Sequence, residues 1–210
     1  MKSVPIGTKY EPFYKRPLDV AVLIGAYLIL FPLWLLIWSI IPLLIWLEDR
    51  GPVFYKQVRA GKGRRPITVV KFRTMVTHAD KQGPSWTTEN DPRITRVGKI
   101  LRRTALDELP ETWNIWKGDM SFVGPRALAL DEQQMLESEI KGFAQRLGVR
   151  PGLTGLAQVF DAENDNHGKL RYDLEYIKNM SVWLDLKLLI LSVRNTIFGR
   201  WDTRHSKRVS

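Results

Sequence analysis

From residue 20 to residue 47 the chain carries no charged side chain, and Leu, Ile, Val, Trp and Phe dominate, while the rest of the sequence mixes short apolar stretches with polar and basic ones. A straight helix over this run would be about 42 Å long, enough for a hydrocarbon core of about 30 Å. Pro32 interrupts it. Proline removes a backbone donor and clashes with the carbonyl four residues earlier, here that of Leu28, so the run is expected to break at Phe31 and Pro32. The pieces, residues 20–31 and 33–47, would measure about 18 Å and about 22 Å, and neither would cross alone. Both flanks are basic: Lys2, Lys9, Lys15 and Arg16 precede the run, and Arg50, Lys56, Arg59, Lys62, Arg64 and Arg65 follow it. Basic flanks favour the cytoplasmic side. Two topologies fit, a helix-break-helix hairpin returning to the face it entered and a single kinked span. Pro42 is a candidate for the point where the second helix leaves the bilayer. The run is too long for a signal peptide and lacks a small-residue cleavage site.

Beyond the run, β-branched and aromatic residues at 51–58 and 65–72, separated by a glycine- and lysine-bearing turn at 60–64, predict a β-hairpin. Its end delivers Lys71 and Arg73 to one side of an extended strand. Residues 77–92 read as a polar loop, 95–103 and 111–117 as helices, and 117–126 as a glycine- and proline-punctuated loop ending in Arg126. Trp113 and Trp116 read as packing or membrane-interface residues. Residues 131–147 have helical composition with a charged face. Another tight loop at 149–155 carries Arg150, and 169–198 reads as helix, with Leu170, Leu174, Ile177 and Met180 on one stripe and Trp183, Leu184, Leu188 and Leu191 on another.

The chain has 210 residues, a formal net charge of +10 and no cysteine. Disulfides and thiol catalysis are excluded. The charge fits nucleic acid, an anionic membrane surface or phosphorylated substrates, and the adjoining apolar run favours the last two. Chemistry concentrates in Leu101-Arg-Arg-Thr-Ala-Leu-Asp-Glu-Leu-Pro110, where Asp107 and Glu108 follow a pair of arginines. A carboxylate can attack phosphorus or hold a divalent metal, and arginine neutralises phosphate oxygens. A solvated helix end carries the same residues, so the dyad alone does not decide. Pro110 puts it near a helix junction, where Arg102 can face Asp107. No Walker motif is present, which removes support for an ordinary nucleoside triphosphatase.

In order, Lys15-Arg16-Pro-Leu-Asp19, the proline-broken run, Gly51-Pro-Val-Phe54, Lys71-Phe-Arg-Thr-Met75, Leu106-Asp-Glu-Leu-Pro110, Lys117-Gly-Asp-Met-Ser121, Val123-Gly-Pro-Arg126, Arg150-Pro-Gly-Leu-Thr-Gly155 and Leu184-Asp-Leu-Lys187 resemble the bacterial monotopic phosphoglycosyl transferases in their small, minimal form. The resemblance covers about residues 15–199. It implies an α+β, mostly helical, membrane-associated fold with an N-terminal re-entrant helix-break-helix, a short β-hairpin and interfacial amphipathic helices. The expected division is an anchor over 1–50, a catalytic domain over 51–199 and a basic tail over 200–210.

The implied reaction moves a sugar 1-phosphate from a UDP-sugar to polyprenyl (undecaprenyl) phosphate at the cytoplasmic face of the bacterial inner membrane, releasing UMP, with Mg2+ as the metal. By motif position Asp107 is the nucleophile that forms a covalent phosphosugar, and Glu108 positions the metal with it. Arg102 is a phosphate or structural partner of the dyad, Arg126 and Arg150 are phosphate ligands, Asp173 is a further site carboxylate, and Lys71 and Arg73 are candidates. The implied partners are donor, acceptor and membrane lipids, not nucleic acid; a homo-oligomer is compatible with the sequence. Two departures matter: Phe31 stands before the membrane proline where many relatives have serine, and Phe160-Asp-Ala-Glu-Asn164 replaces a common Asn-Gly-Arg-Asn. A lipid-diphosphate phosphohydrolase and a basic peripheral scaffold are the competing readings.

Overall fold

The computed structural model describes residues 11–79, 82, 91–160 and 165–198. The apolar run forms two helices, α1 (Lys15–Ile29) and α2 (Phe31–Asp49), joined at Leu30, whose φ of −102° and ψ of 20° leave the helical region. The break therefore falls one residue before the expected Phe31-Pro32 pair. Its position has a physical reason: restarting the helix at Phe31 places Pro32 in the first turn, where no intrahelical N–H is required. The bend is braced by side chains. The Tyr27 and Trp34 rings stack with centroids 4.4 Å apart, and the Trp34 indole N–H donates to the Ala26 carbonyl at 3.1 Å. An indole from the next turn thus supplies a side-chain donor at the bend, where this chain has no serine before the proline. Pro42 does not end the second helix, which continues through it to Asp49.

α2 is long and apolar enough to cross a membrane by length and composition, with a mean hydropathy of 1.9 over its most apolar window. Around the bend the surface is apolar: Leu28 is 75% exposed, Ile29 80% and Phe31 58%. The far ends of both helices are fastened to one body. In α1, buried Lys15 donates to the Val123 carbonyl at 2.7 Å and pairs with Asp185 at 3.1 Å, Arg16 donates to the Ile115 and Trp116 carbonyls, and Asp19 accepts from Ser121 Oγ and Phe122 N. At the end of α2, Glu48 accepts from the backbone N–H groups of Arg96 and Val97, the favourable place for an anion at a helix start, and Asp49 pairs with Arg73.

An antiparallel ribbon follows, β1 (Phe54–Ala60) and β2 (Pro66–Phe72), in register Tyr55 with Lys71 and Lys56 with Val70. Strand alternation gives it two faces. Phe54 and Phe72 stack and pack with Trp38, and Phe72 joins Ile41, Ile45 and Leu101 in the core beneath α2. On the other face Ile67 and Val69 pack with Ile115 and Met120, and Lys71 looks the same way.

α3 (Arg96–Thr104), capped by Thr95 Oγ1, leads to a 3-10 turn over Leu106–Glu111 and then to α4 (Thr112–Lys117). The two loops expected at 117–126 and 149–155 are not independent. Each contributes a short strand, β3 (Ser121–Val123) and β4 (Gly152–Thr154), and these pair in parallel. The approach is so close that a Cβ on Gly152 would lie 2.1 Å from the Gly124 nitrogen, which only glycine allows.

Between them, the expected helix over 131–147 stops early as α5 (Leu130–Glu139), where Ile140 turns extended at φ −116° and ψ 111°; Gly142, at φ 87°, then starts a 3-10 turn over Phe143–Gly148. After β4 the chain forms α6 (Leu156–Phe160). The long helix expected over 169–198 is two helices, α7 (Asn166–Asn179) and α8 (Val182–Ile197), since Ser181 caps the second through the Leu184 N–H. The two apolar stripes read from the sequence belong to these two helices. They bury Tyr176 and Leu188 with Val123, Leu156 and Val159. Most of the loop at 77–92, the Asp161–Asn164 part of the divergent segment and the tail fall outside the described residues.

Candidate active site

α3 ends at Ala105, a non-glycine residue at φ 54° whose N–H closes onto the Arg102 and Leu101 carbonyls. The reversal throws Asp107 and Glu108 into the following 3-10 turn, directly under β2. α3 is seated by Gly98, where a Cβ would lie 2.1 Å from the Thr74 carbonyl oxygen. Arg102 on that helix donates its Nε–H to Thr74 Oγ1 at 2.8 Å.

Three cations reach this turn. Lys71 Nζ lies 2.5 Å from Glu108 Oε1 and 3.1 Å from Glu111 Oε1, while an Arg126 amino group lies 2.6 Å from the same Glu108 Oε1. Arg102 adds a positive field at Asp107. Burial would raise the Glu108 carboxyl, but Arg126 and Lys71 outweigh it and hold Glu108 well below the usual carboxylate range. Asp107 behaves oppositely. Burial, aided by the Glu108 charge and opposed by Lys71, Arg102 and Arg126, pushes it up to about 6. Among the described residues Asp107 accepts no hydrogen bond, although its side chain stands among these cations. Two adjacent carboxylates therefore have different states: Glu108 is clamped and ionised, and Asp107 is unclamped.

The structure brings together five of the residues singled out from the sequence: Asp107, Glu108, Lys71, Arg102 and Arg126. It places three elsewhere. The guanidinium of Arg73 is taken by Asp49 and by the Pro52 carbonyl, so Lys71 faces the dyad and Arg73 secures the end of α2. Arg150 is bound by Glu11 through its backbone N–H and Nε–H at 3.0–3.1 Å. Asp173 is buried against Arg146 Nε at 2.8 Å, and another Arg146 nitrogen donates to the Arg126 carbonyl at 2.7 Å. Asp173 thus reaches the site through Arg146 and the backbone of Arg126.

Two residues escaped the sequence reading. Glu111, buried and held above the usual carboxylate range mainly by burial, partners Lys71; its signal was its spacing three and four residues after the dyad. Arg59 donates to the Ala127 carbonyl at 2.8 Å and to Gln57, and burial and the neighbouring Arg126 lower its affinity for its proton. Its signal was strand parity with Lys71.

The donor set suits a hard divalent cation only with help. No group of three or more His, Cys, Asp or Glu able to hold a metal occurs among the described residues. Asp107 has uncommitted oxygens, and both cations on Glu108 land on Oε1, so Oε2 is clear. Mg2+ is commonly held by one or two carboxylates plus substrate phosphates and water, and these oxygens fit that pattern.

Residues 10–199 match the family model described as bacterial sugar transferase. The chain is 38% identical over 89% of its length to the UDP-N-acetylgalactosamine-undecaprenyl-phosphate N-acetylgalactosaminephosphotransferase of Aeromonas hydrophila, covering 44% of that protein. It is 40% identical over 86% of its length to the UDP-glucose:undecaprenyl-phosphate glucose-1-phosphate transferase of Klebsiella pneumoniae, covering 39% of it. The chain thus spans less than half the length of these two relatives. A shorter relative, the exopolysaccharide production protein PSS of Rhizobium leguminosarum bv. phaseoli, is 40% identical over 85% of this chain and is covered over 92% of its own length. With the family model spanning nearly the whole chain and relatives of this identity along it, the protein belongs to the bacterial sugar transferase family.

Proposed function

We propose that the protein transfers a sugar 1-phosphate from a UDP-sugar to undecaprenyl phosphate, releasing UMP, at the cytoplasmic face of the bacterial inner membrane. The observation that carries the reading is the division of labour in the dyad. Glu108 absorbs Lys71 and Arg126, and Asp107 is left as an uncommitted carboxylate inside a cationic site. An Asp107 oxygen attacks the β-phosphorus of the donor, a phosphorus–oxygen bond forms, and the diphosphate bond breaks with its electron pair leaving on UMP. A phosphate oxygen of the lipid acceptor then attacks the same phosphorus and expels the Asp107 carboxylate. One carboxylate thereby serves a soluble donor and a lipid acceptor in turn. Lys71, Arg102 and Arg126 neutralise the oxygens on which charge gathers. Asp107 and Glu108 Oε2 would hold Mg2+, which would supply Lewis-acid neutralisation of the donor's diphosphate oxygens as UMP departs.

The anchor is read as re-entrant because both ends of the α1–α2 pair are tied to the same body while the bend presents Leu28, Ile29 and Phe31. Cysteines introduced at Phe13 and Lys62 should then be labelled from the same face of sealed vesicles; labelling from opposite faces refutes the topology. Relatives of similar identity are named for N-acetylgalactosamine and for glucose, so the donor sugar is a matter for a UDP-sugar panel read out as UMP release. The mechanism is tested with donor labelled in its β-phosphate. Wild type should retain label on protein before acceptor is added, and Asp107→Asn should neither retain label nor release UMP; full activity in that variant sinks the covalent step.

A further inference from the structure

Between the bent helices and the site lies a cavity of about 620 Å3, within the range of small-molecule sites. α1 contributes Leu23, Tyr27 and Leu28, α2 contributes Trp38, and the ribbon contributes Phe54, Lys56 and Val70. The remaining wall is Pro110, Thr112, Trp113 and Trp116. Three features single it out. First, its wall with the site is one residue thick. Val70 faces the cavity and the next residue, Lys71, faces Glu108; Pro110 and Thr112 line the cavity while Glu111 between them reaches Lys71. Second, the cavity is continuous with the exposed apolar bend through Leu28. Third, it has a single charged lining residue. Lys56 is exposed, and its ammonium has no hydrogen-bond or ion-pair partner among the described residues.

We propose that this groove holds the isoprenyl chain of the lipid acceptor next to its phosphate, an inference that rests on the acceptor reading above. A long apolar chain with one anionic end matches an apolar trough with one unpartnered cation, and a wall shared with the carboxylates delivers that end to Asp107. An occupant with no phosphate to present would gain nothing from this adjacency. The groove is preshaped for it. The Tyr27 hydroxyl lies 3.3 Å from Thr112 Oγ1, bridging α1 to α4, and the Tyr27 ring is fixed against Trp34. Trp113, 59% exposed, forms a rim that can be altered without opening the core.

The test compares undecaprenyl phosphate with a three-isoprene phosphate as acceptors. Trp113→Ala should raise KM for the long acceptor about tenfold, the scale of one lost aromatic contact, with a smaller change for the short one and KM for the UDP-sugar within about twofold. A polyprenyl phosphate carrying a benzophenone in its first isoprene units should label peptides containing residues 23–28 or 113–116, and unlabelled undecaprenyl phosphate should compete. If wild type makes lipid-linked product while Trp113→Ala leaves the acceptor KM unchanged, or the label lands outside these peptides, the groove assignment is overturned. Equal labelling by a benzophenone phospholipid, indifferent to undecaprenyl phosphate, overturns it as well and assigns the groove to bulk lipid. Absence of lipid-linked product from wild type with every donor tested would instead remove the acceptor reading and this inference with it.

Discussion

Glu111 and Glu108 both hold Lys71, so that one ammonium is shared by two carboxylates at 3.1 Å and 2.5 Å. Lys71 is also the largest of the cationic influences favouring ionised Asp107. Lys71→Met is therefore expected to move the acid limb of the kcat/KM profile for the donor to higher pH, besides lowering the plateau by about 100-fold or more as a buried catalytic charge is lost. Glu111→Gln, which keeps an acceptor for Lys71, should cost about tenfold or less. An unshifted acid limb in Lys71→Met would show that the ammonium does not govern the Asp107 proton.

The raised Asp107 carboxyl has consequences for activity and for stability with opposite signs. In the proposed mechanism Asp107 attacks in its ionised form, so kcat/KM for the donor should climb tenfold per pH unit below about 6 and level off above it. Stability runs the other way. Because the folded value of about 6 exceeds the ordinary 3.8, this group's contribution is fully present below pH 3.8 and is lost as pH rises through 6. Asp107→Asn should accordingly raise Tm relative to wild type at pH 8 and leave it nearly unchanged at pH 4, which thermal unfolding in detergent can measure.

Lys15 and Asp185 form a buried pair 170 positions apart in the chain, with Tyr14 and Tyr176 completing the shell of Asp185. Removing one buried charge leaves the other uncompensated. Lys15→Met should destabilise the fold by about 3 kcal/mol, and adding Asp185→Leu should recover part of that loss. A double variant no better than the single would mean that the tyrosines alone sustain Asp185.

Trp34→Phe removes the indole donor to Ala26 but keeps an aromatic ring against Tyr27. The expected loss is about 1 kcal/mol, seen as a lower Tm in lipid nanodiscs. Trp34→Ala should cost more, since the stacking also goes.

Much of this architecture was legible in the sequence, and the failures have physical causes. Proline placed the break of the apolar run to within one residue, missing only because a restarted helix accommodates Pro32 in its first turn. β-branched and aromatic composition around a glycine-bearing turn gave the ribbon, and Pro110 gave the junction that carries the dyad. Helix ends were less readable: composition carries α5 past Glu139 and fuses α7 with α8, because the arrest comes from one residue, Ile140, turning extended and from one serine cap. The β3–β4 pairing joins strands of three residues each, too short for any periodicity to announce. At the site, motif position in the family resemblance brought in Lys71, Arg102 and Arg126, but could not distinguish basic residues facing the dyad from Arg73 and Arg150, whose carboxylate partners come from Asp49 and from Glu11, 139 positions distant from Arg150.

The last two residues of α2 also act as struts. Glu48 seats the start of the helix that leads into Asp107, and Asp49 grips Arg73 just beyond Lys71. With α1 locked at its own far end by Lys15, neither arm of the anchor can slide without dragging the carboxylates along. On the re-entrant reading proposed above, a bilayer thicker or thinner than the hairpin prefers would be met by tilting the whole molecule, so the reacting phosphorus would keep its height relative to the break at Leu30.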